Sequence, residues 1–147
     1  LLSEQEIGKF FLIKKVESKI TQSYIDDFRI KVTGLDQIAG SLSGGNQQKI
    51  VIGRALSTKP RLIILDEPTR GIDAAARRDV YAIIHQLKSQ GVAIMLISSD
   101  MEEIIELSDR AVIVFQGRIR RELKKSEINQ ENLMAASFGV HELKESR

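Results

Sequence analysis

The sequence contains no cysteine, so disulfide bonds, cysteine-ligated zinc clusters and thiol nucleophiles are excluded. It also lacks an apolar run long enough to cross a bilayer. The formal net charge is only +2 and the charges form no basic stripe, so nothing indicates a nucleic-acid partner. With 147 residues, of which 42% are hydrophobic and 29% charged, the chain can form a core of its own.

Helices are predicted where apolar residues recur at intervals of three and four. This spacing predicts amphipathic helices from Ile13 onward and over residues 46–56 and 74–90. The expected buried face of the second helix consists of Ile50, Val51, Ala55 and Leu56. A further helix is expected to begin at a capping Asp100, and a last one lies within residues 126–138.

Strands are predicted between these helices. Residues 61–66 and 92–98 are expected to be buried on both faces, because their apolar residues follow one another without alternation. Residues 110–115 and 118–123 flank Gln116-Gly117, which predicts a β-hairpin. The order of elements is typical of an α/β fold with a mainly parallel sheet and flanking helices.

A pair of glycines stands at the start of the second predicted helix. After Ser43, the absence of Cβ atoms at Gly44 and Gly45 lets the backbone approach an anion, and the helix N-terminus favours phosphate. The Ser43 hydroxyl can add a hydrogen-bond donor. An isolated Ser-Gly-Gly would more often be a plain loop, so the whole of residues 42–49, Leu-Ser-Gly-Gly-Asn-Gln-Gln-Lys, carries the signal.

Two carboxylates end the first predicted strand. Asp66 can hold Mg²⁺, usually through water, and Glu67 can orient and deprotonate an attacking water. An Asp-Glu-Pro sequence alone is usually a solvated turn. Here four apolar residues precede it, and charges at the end of a buried strand are costly unless they are used.

Several motifs, in this order, resemble one family. Residues 42–49 resemble the signature motif of ATP-binding-cassette (ABC) ATPases, in the Asn-Gln-Gln form seen in carbohydrate importers. Residues 62–67 resemble the Walker B strand of that family. Residues 71–73 and 97–100 stand where the family has its D-loop and its switch-histidine loop.

The resemblance covers nearly the whole chain and implies a partial P-loop NTPase fold of the ABC-cassette type. It implies that residues 1–57 form part of the helical subdomain with the signature motif. Residues 58–147 are expected to form the C-terminal part of the RecA-like ATPase core, closed by the hairpin and a helix.

The resemblance further implies a role for each matching residue. The implied nucleotide-binding residues are Ser43, Gly44, Gly45, Asn46, Gln47 and Asp73. Ser43 and the two glycines would contact the γ-phosphate of ATP bound to the opposite cassette, and Asp73 would act across the interface. Asp66 would associate with Mg²⁺, and Glu67 would be the catalytic carboxylate.

Two features depart from the family pattern. Ser99 stands where the family has its switch histidine, and this resembles the second cassette of tandem sugar-importer ATPases. A serine cannot supply an imidazole, so Ser99 is expected to weaken hydrolysis at its site. No Gly-x-x-x-x-Gly-Lys-Ser/Thr phosphate loop occurs, so the chain is expected to be the C-terminal part of a cassette that is inactive alone.

The resemblance implies the ATPase subunit of a bacterial ABC importer for a sugar or sugar-like solute. ATP and Mg²⁺ are the implied cofactors, and a partner cassette and membrane-spanning permease subunits are the implied partners, at the cytoplasmic face of the inner membrane. Two alternatives remain: a non-transport ABC ATPase of the DNA-repair or translation type, and a non-catalytic half that only binds a cassette. An exposed sheet is also expected to let the chain self-associate.

Overall fold

A computed structural model of the chain describes residues 14–138. The helices of this part are α1 (Lys14–Asp27), α2 (Gly44–Leu56), α3 (Ala74–Ser89), α4 (Met101–Leu107) and α5 (Gln130–Phe138). Its strands are β1 (Leu62–Asp66), β2 (Ala93–Ile97), β3 (Arg110–Phe115) and β4 (Arg118–Lys124). The predicted α/β fold class is confirmed, and no helix among residues 14–138 is long and apolar enough to span a membrane.

The chain divides into two compact units, residues 1–95 and residues 96–147, and the division falls within β2. The division after residue 57 that the family resemblance implies is a different grouping, and it stays a prediction. The first predicted helix is confirmed as α1, although Ile13 lies outside the described residues.

In the first unit, α2 and α3 pack against each other. The predicted buried side of α3 is confirmed, since Val80, Ile83, Ile84 and Leu87 are all buried. The predicted buried face of α2 is wrong at two positions, because Val51 and Ala55 are exposed whereas Ile52 is buried.

The buried stripe of α2 is not a purely apolar one. Its members are Gly45, Lys49, Ile52, Gly53 and Leu56. Two glycines and a lysine carry no apolar signal. The spacing of apolar residues alone therefore predicts a buried face that is rotated towards Val51.

Glycine at two positions of α2 lets neighbouring elements come close. A Cβ atom added to Gly45 would overlap the Ala76 Cβ in α3, closer than real Cβ atoms approach each other. A Cβ atom added to Gly53 would lie 3.2 Å from the Phe28 ring just after α1. The backbone of α2 therefore sits directly against its neighbours.

An ion pair between a buried lysine and a half-exposed aspartate joins α2 to α3. The Lys49 Nζ donates to the Asp79 Oδ2 at 3.0 Å and to the Arg29 backbone oxygen at 2.9 Å. The Lys49 side chain is 3% exposed and that of Asp79 is 43% exposed. The ammonium depends on these two partners because burial separates it from water.

Strands β1 and β2 form a small parallel sheet, and the Ala93 N–H donates to the Arg61 oxygen at 3.0 Å. The expectation that these strands are buried on both faces is wrong. Ile63 and Leu65 are buried, whereas Leu62 is 54% and Ile64 59% exposed. Within residues 14–138 only one face of β1 is covered, so its apolar residues alternate between core and solvent.

In the second unit, β3 and β4 form the predicted antiparallel hairpin. Gln116 and Gly117 both have positive φ, 49° and 73°, as the tight two-residue hairpin turn requires. The core of this unit consists of Ala111, Ile113, Leu123, Ile128, Leu133 and Ala136. The predicted cap of α4 is confirmed, since the Asp100 side chain accepts from the Glu102 and Glu103 N–H groups.

Replacing Asp79 is expected to lower the stability of the chain more than replacing Lys49. Asp79→Ala leaves a buried ammonium with the Arg29 carbonyl, and should lower the free energy of unfolding by about 3 kcal/mol. Lys49→Met keeps an apolar side chain in the same space and leaves the half-exposed carboxylate to water, so a loss of about 1 kcal/mol is expected.

Denaturant unfolding of the chain measures both values. The exposed Arg110–Glu122 pair is the control, and Glu122→Ala should change the free energy by less than about 1 kcal/mol. Equal losses for the two α2–α3 variants would contradict this account of the pair.

Gly45→Ala is expected to lower the free energy of unfolding by about 1–3 kcal/mol, because the new methyl group overlaps Ala76. The matched variant Ala76→Gly, combined with Gly45→Ala, returns the space and should recover most of the loss. Denaturant unfolding of the two single variants and the double variant gives the comparison. If the double variant lost as much as the sum of the single variants, the close contact would not be the cause.

Candidate functional site

The N-terminus of α2 carries no side-chain cap. Ser43 is the N-cap residue, with an extended backbone, and its side chain accepts from none of the helix N–H groups. The first turn contains no acidic residue. By contrast, Asp73 and Asp100 each accept two backbone N–H groups at the starts of α3 and α4. The positive end of α2 is thus left open to an external anion.

Two amide side chains brace the turn before α2. The Asn46 Oδ1 accepts from the Lys31 N–H at 3.1 Å, and the Asn46 Nδ2 donates to the Ser43 Oγ at 3.1 Å. The Gln47 Nε2 donates to the Leu42 oxygen at 2.7 Å. These bonds hold Ser43 at the opening of the helix.

The two glycines differ in their surroundings. Gly44 is exposed, and an added Cβ would meet the Ile72 side chain at 3.7 Å, an ordinary contact. Gly45 is buried against Ala76 and needs its lack of a side chain for packing. The role of both glycines towards phosphate stays a prediction, and for Gly45 the packing of α3 is a sufficient reason by itself.

The end of β1 turns sharply at Glu67. Asp66, the last residue of the strand, is exposed, and Glu67 is half-buried. Glu67 has a φ of 47°, in the left-handed region that a non-glycine residue seldom adopts. The Arg70 N–H donates to the Glu67 oxygen at 3.1 Å and closes the turn. Backbone strain of this kind concentrates at functional sites.

Asp73 is the N-cap of α3. Its Oδ1 accepts from the Ala75 and Ala76 N–H groups, each at 2.9 Å. The pKa of the Asp73 carboxyl is lowered mainly by the hydrogen bond from Ala76, with Ala75 and the charge of Lys31 acting in the same direction. Asp73 therefore has a structural task at neutral pH, and its predicted role across an interface stays a prediction.

Ser99 lies in the second unit, between β2 and α4, and is exposed. The Asp100 N–H donates to the Ser98 Oγ at 3.0 Å, which fixes the turn that follows β2. The expectation that this position replaces a histidine stays a prediction.

Within the first unit, the turns that precede α2 and α3 are neighbours. A Cβ atom on Gly44 would lie 3.7 Å from the Ile72 side chain and 3.9 Å from the Gly71 oxygen. The proposed signature turn and the residues before Asp73 thus form one continuous surface.

Sequence reasoning missed three contributions to this region, namely the Lys49–Asp79 pair, the Gly45–Ala76 contact and the link from Lys31 to Asn46. A signal for the first existed. Lys49 precedes Ile52 by three residues and Leu56 by seven, which places the lysine on the buried stripe of α2. Nothing local in the sequence signals the other two.

Sequence comparison with known proteins finds one family model and several related import proteins. The family model described as "ABC transporter" matches residues 4–70. The xylose import ATP-binding protein XylG of Moorella thermoacetica is 44% identical over 139 residues, which are 95% of this chain and 28% of that protein. The ribose import ATP-binding protein RbsA of Clostridium perfringens is 42% identical over 130 residues, 88% of this chain and 26% of that protein. The chain thus spans about a quarter of the length of these relatives.

Solved structures of cassettes share the fold. A metal-chelate type ABC transporter in an inward-facing conformation matches 92% of this chain and 54% of its own, with a TM-score of 0.74 and 23% identity. An ATP-binding cassette of an ABC transporter in its ADP conformation matches 85% of this chain and 46% of its own, with a TM-score of 0.67 and 26% identity. The family match and the similarity to these relatives over 88–95% of the chain identify an ABC transporter domain in this chain.

Proposed function

We propose that this chain supplies the signature half of one ATP site and the Walker B carboxylates of another, in an ATPase that drives import of a sugar or sugar-like solute. The observation that carries the proposal is the open N-terminus of α2, where Ser43 caps none of the helix N–H groups. The similarity to xylose and ribose import ATP-binding proteins supports the solute class.

In the proposed ATP site, Ser43 and Gly44 face the γ-phosphate of ATP held by a partner cassette. The Ser43 hydroxyl and the first N–H groups of α2 donate to phosphate oxygens, and the helix dipole favours the negative charge. Asn46 and Gln47 hold the turn in place through the bonds to Ser43 and Leu42. Gly45 contributes its backbone and keeps α2 against α3.

Asp66 is the proposed residue for Mg²⁺. Among residues 14–138, no group of three or more His, Asp or Glu side chains could hold a metal ion. One exposed carboxylate nevertheless fits this ion, because Mg²⁺ beside a nucleotide takes its other ligands from phosphate oxygens and water. When bound, Mg²⁺ would neutralise charge on the phosphate groups.

Glu67 is the proposed catalytic carboxylate. Its left-handed backbone follows directly on Asp66, the last residue of β1. In the proposed mechanism it orients the attacking water and accepts its proton.

Ser99 and Asp73 complete the proposed set. Ser99 can donate a hydroxyl hydrogen bond but has no imidazole, so the site that uses this loop is proposed to hydrolyse ATP more slowly. Asp73 keeps the start of α3 fixed, and is proposed to lie at the interface with the partner cassette.

The proposed partners are a second cassette and membrane-spanning permease subunits, and the proposed location is the cytoplasmic face of the bacterial inner membrane. One relative by fold is a dimeric cassette in a post-hydrolysis state bound to ADP and phosphate. Self-association of the chain through the exposed residues of β1, Leu62 and Ile64, is a further proposal. The import proteins among the relatives favour transport over a repair or translation role.

We propose that the chain is part of a longer ATPase, which we call the full-length protein. Glu67→Gln in that protein is expected to lower ATP turnover by about 100-fold or more, because the amide cannot accept the proton of the attacking water. Binding of ATP should persist, since the change removes no donor to phosphate. Phosphate release and nucleotide binding, measured on the same preparation, separate the two effects.

The control is Glu122→Gln, which removes the same charge from the exposed hairpin. That variant should turn over ATP at the unchanged rate. Full turnover by the Glu67 variant would remove Glu67 from the proposed mechanism.

A further inference from the structure

We infer that Asn46 is a positioning residue that turns the Ser43 hydroxyl into a hydrogen-bond donor towards phosphate. The inference rests on the proposed function, because it concerns the same ATP site. It assigns Asn46 a specific task, namely orienting a neighbouring side chain.

The orientation of the Asn46 amide follows from its partners. The Lys31 backbone N–H lies 3.1 Å from the Asn46 Oδ1 and can only donate, so the amide oxygen must face it. The Asn46 Nδ2 then faces the Ser43 Oγ, also at 3.1 Å, and can only donate to it. The backbone of Lys31 thus fixes which end of the amide Ser43 meets.

The orientation of the Ser43 hydroxyl follows in turn. A hydroxyl has one hydrogen to donate and two lone pairs that accept. Asn46 donates to one lone pair, and therefore the hydroxyl hydrogen is not directed at Asn46. Ser43 is exposed and its Oγ is not engaged with the N–H groups of α2, so the hydrogen can reach an external acceptor.

Phosphate oxygens are the matching acceptor. They carry negative charge and lone pairs, so a hydroxyl helps only when its hydrogen points at them. The amide nitrogen of Asn46 therefore prepares Ser43 before the nucleotide arrives, which reduces the ordering needed on binding.

Asn46→Asp reverses this arrangement with almost no change of shape. A carboxylate at this position still accepts from the Lys31 N–H, but its second oxygen can only accept from the Ser43 hydroxyl. The Ser43 hydrogen would then turn towards the helix residue and away from the phosphate. The effect of this variant should therefore depend on the presence of the Ser43 hydroxyl.

The test is a double-mutant cycle on ATP hydrolysis by the full-length protein, with Ser43→Ala, Asn46→Asp and the double variant. Ser43→Ala should lower kcat/KM by about 10-fold, as expected for one hydrogen bond to a charged group. Asn46→Asp should lower it by at least about as much in the natural background, and by less than about 3-fold when Ser43 is already alanine.

Charge and folding are controlled separately. Gln48→Glu places the same charge two residues further along α2, and its effect should be the same with and without the Ser43 hydroxyl. Asn46→Ala removes both hydrogen bonds without adding charge, and it too should have a smaller effect in the Ser43→Ala background. It takes the place of Asn46→Asp if thermal unfolding shows that the carboxylate prevents folding.

The outcomes are distinguishable. If Asn46→Asp and Asn46→Ala each had the same effect with and without the Ser43 hydroxyl, the positioning role would be overturned. The proposed ATP site would be left intact. Unchanged hydrolysis by Ser43→Ala would overturn the proposed site itself, and the inference with it. The inference expects both Asn46 variants to have smaller effects in the Ser43→Ala background. It expects Gln48→Glu to have the same effect in both backgrounds.

Discussion

The close docking of α2 on α3 is the constraint on which the proposed site depends. Gly45 lies against Ala76 with no room for a methyl group, and four residues later Lys49 reaches Asp79 at 3.0 Å. The first contact sets the distance between the helices, and the second sets their register along the axis. Because the Gly45–Ala76 contact lies in the first turn of both helices, it also holds the turns that precede them close together.

Those turns carry residues of the proposed site. Ser43 is the N-cap of α2 and Asp73 is the N-cap of α3, but only one of the two helix starts has a side-chain cap. The carboxylate of Asp73 satisfies two N–H groups of its own helix, whereas the side chain of Ser43 satisfies none and is itself held by Asn46. One helix start is therefore closed by the protein and the other is available to a phosphate group. Because of this difference, the start of α2 is the proposed phosphate-binding end and the start of α3 is not.

Sequence reasoning succeeded where structure is decided by neighbours in the chain. The hairpin follows from Gln116-Gly117 and the start of α4 from Asp100, because turns and caps are local. It failed where tertiary packing decides. The buried stripe of α2 contains Lys49, whose burial depends on a carboxylate thirty residues away.

The exposed face of β1 is a second case in which tertiary packing, and not the local sequence, decides burial. An apolar residue such as Ile64 predicts a covered face, yet within residues 14–138 nothing covers it. Of the candidate site, the residue types and their order could be read from the signature and Walker B motifs. The uncapped helix start, the left-handed Glu67 and the Lys31–Asn46–Ser43 chain of hydrogen bonds required coordinates.

The central claim is that this chain presents the signature and the carboxylates of ATP sites without a phosphate loop of its own. Calorimetric titration of the 147-residue chain with Mg-ATP, with phosphate release followed in the same sample, tests it most directly. The account predicts no binding tighter than millimolar and no turnover, because the 147 residues contain no Gly-x-x-x-x-Gly-Lys-Ser/Thr pattern to cradle the phosphates of a bound nucleotide. Tight binding or steady turnover by the chain alone would contradict it.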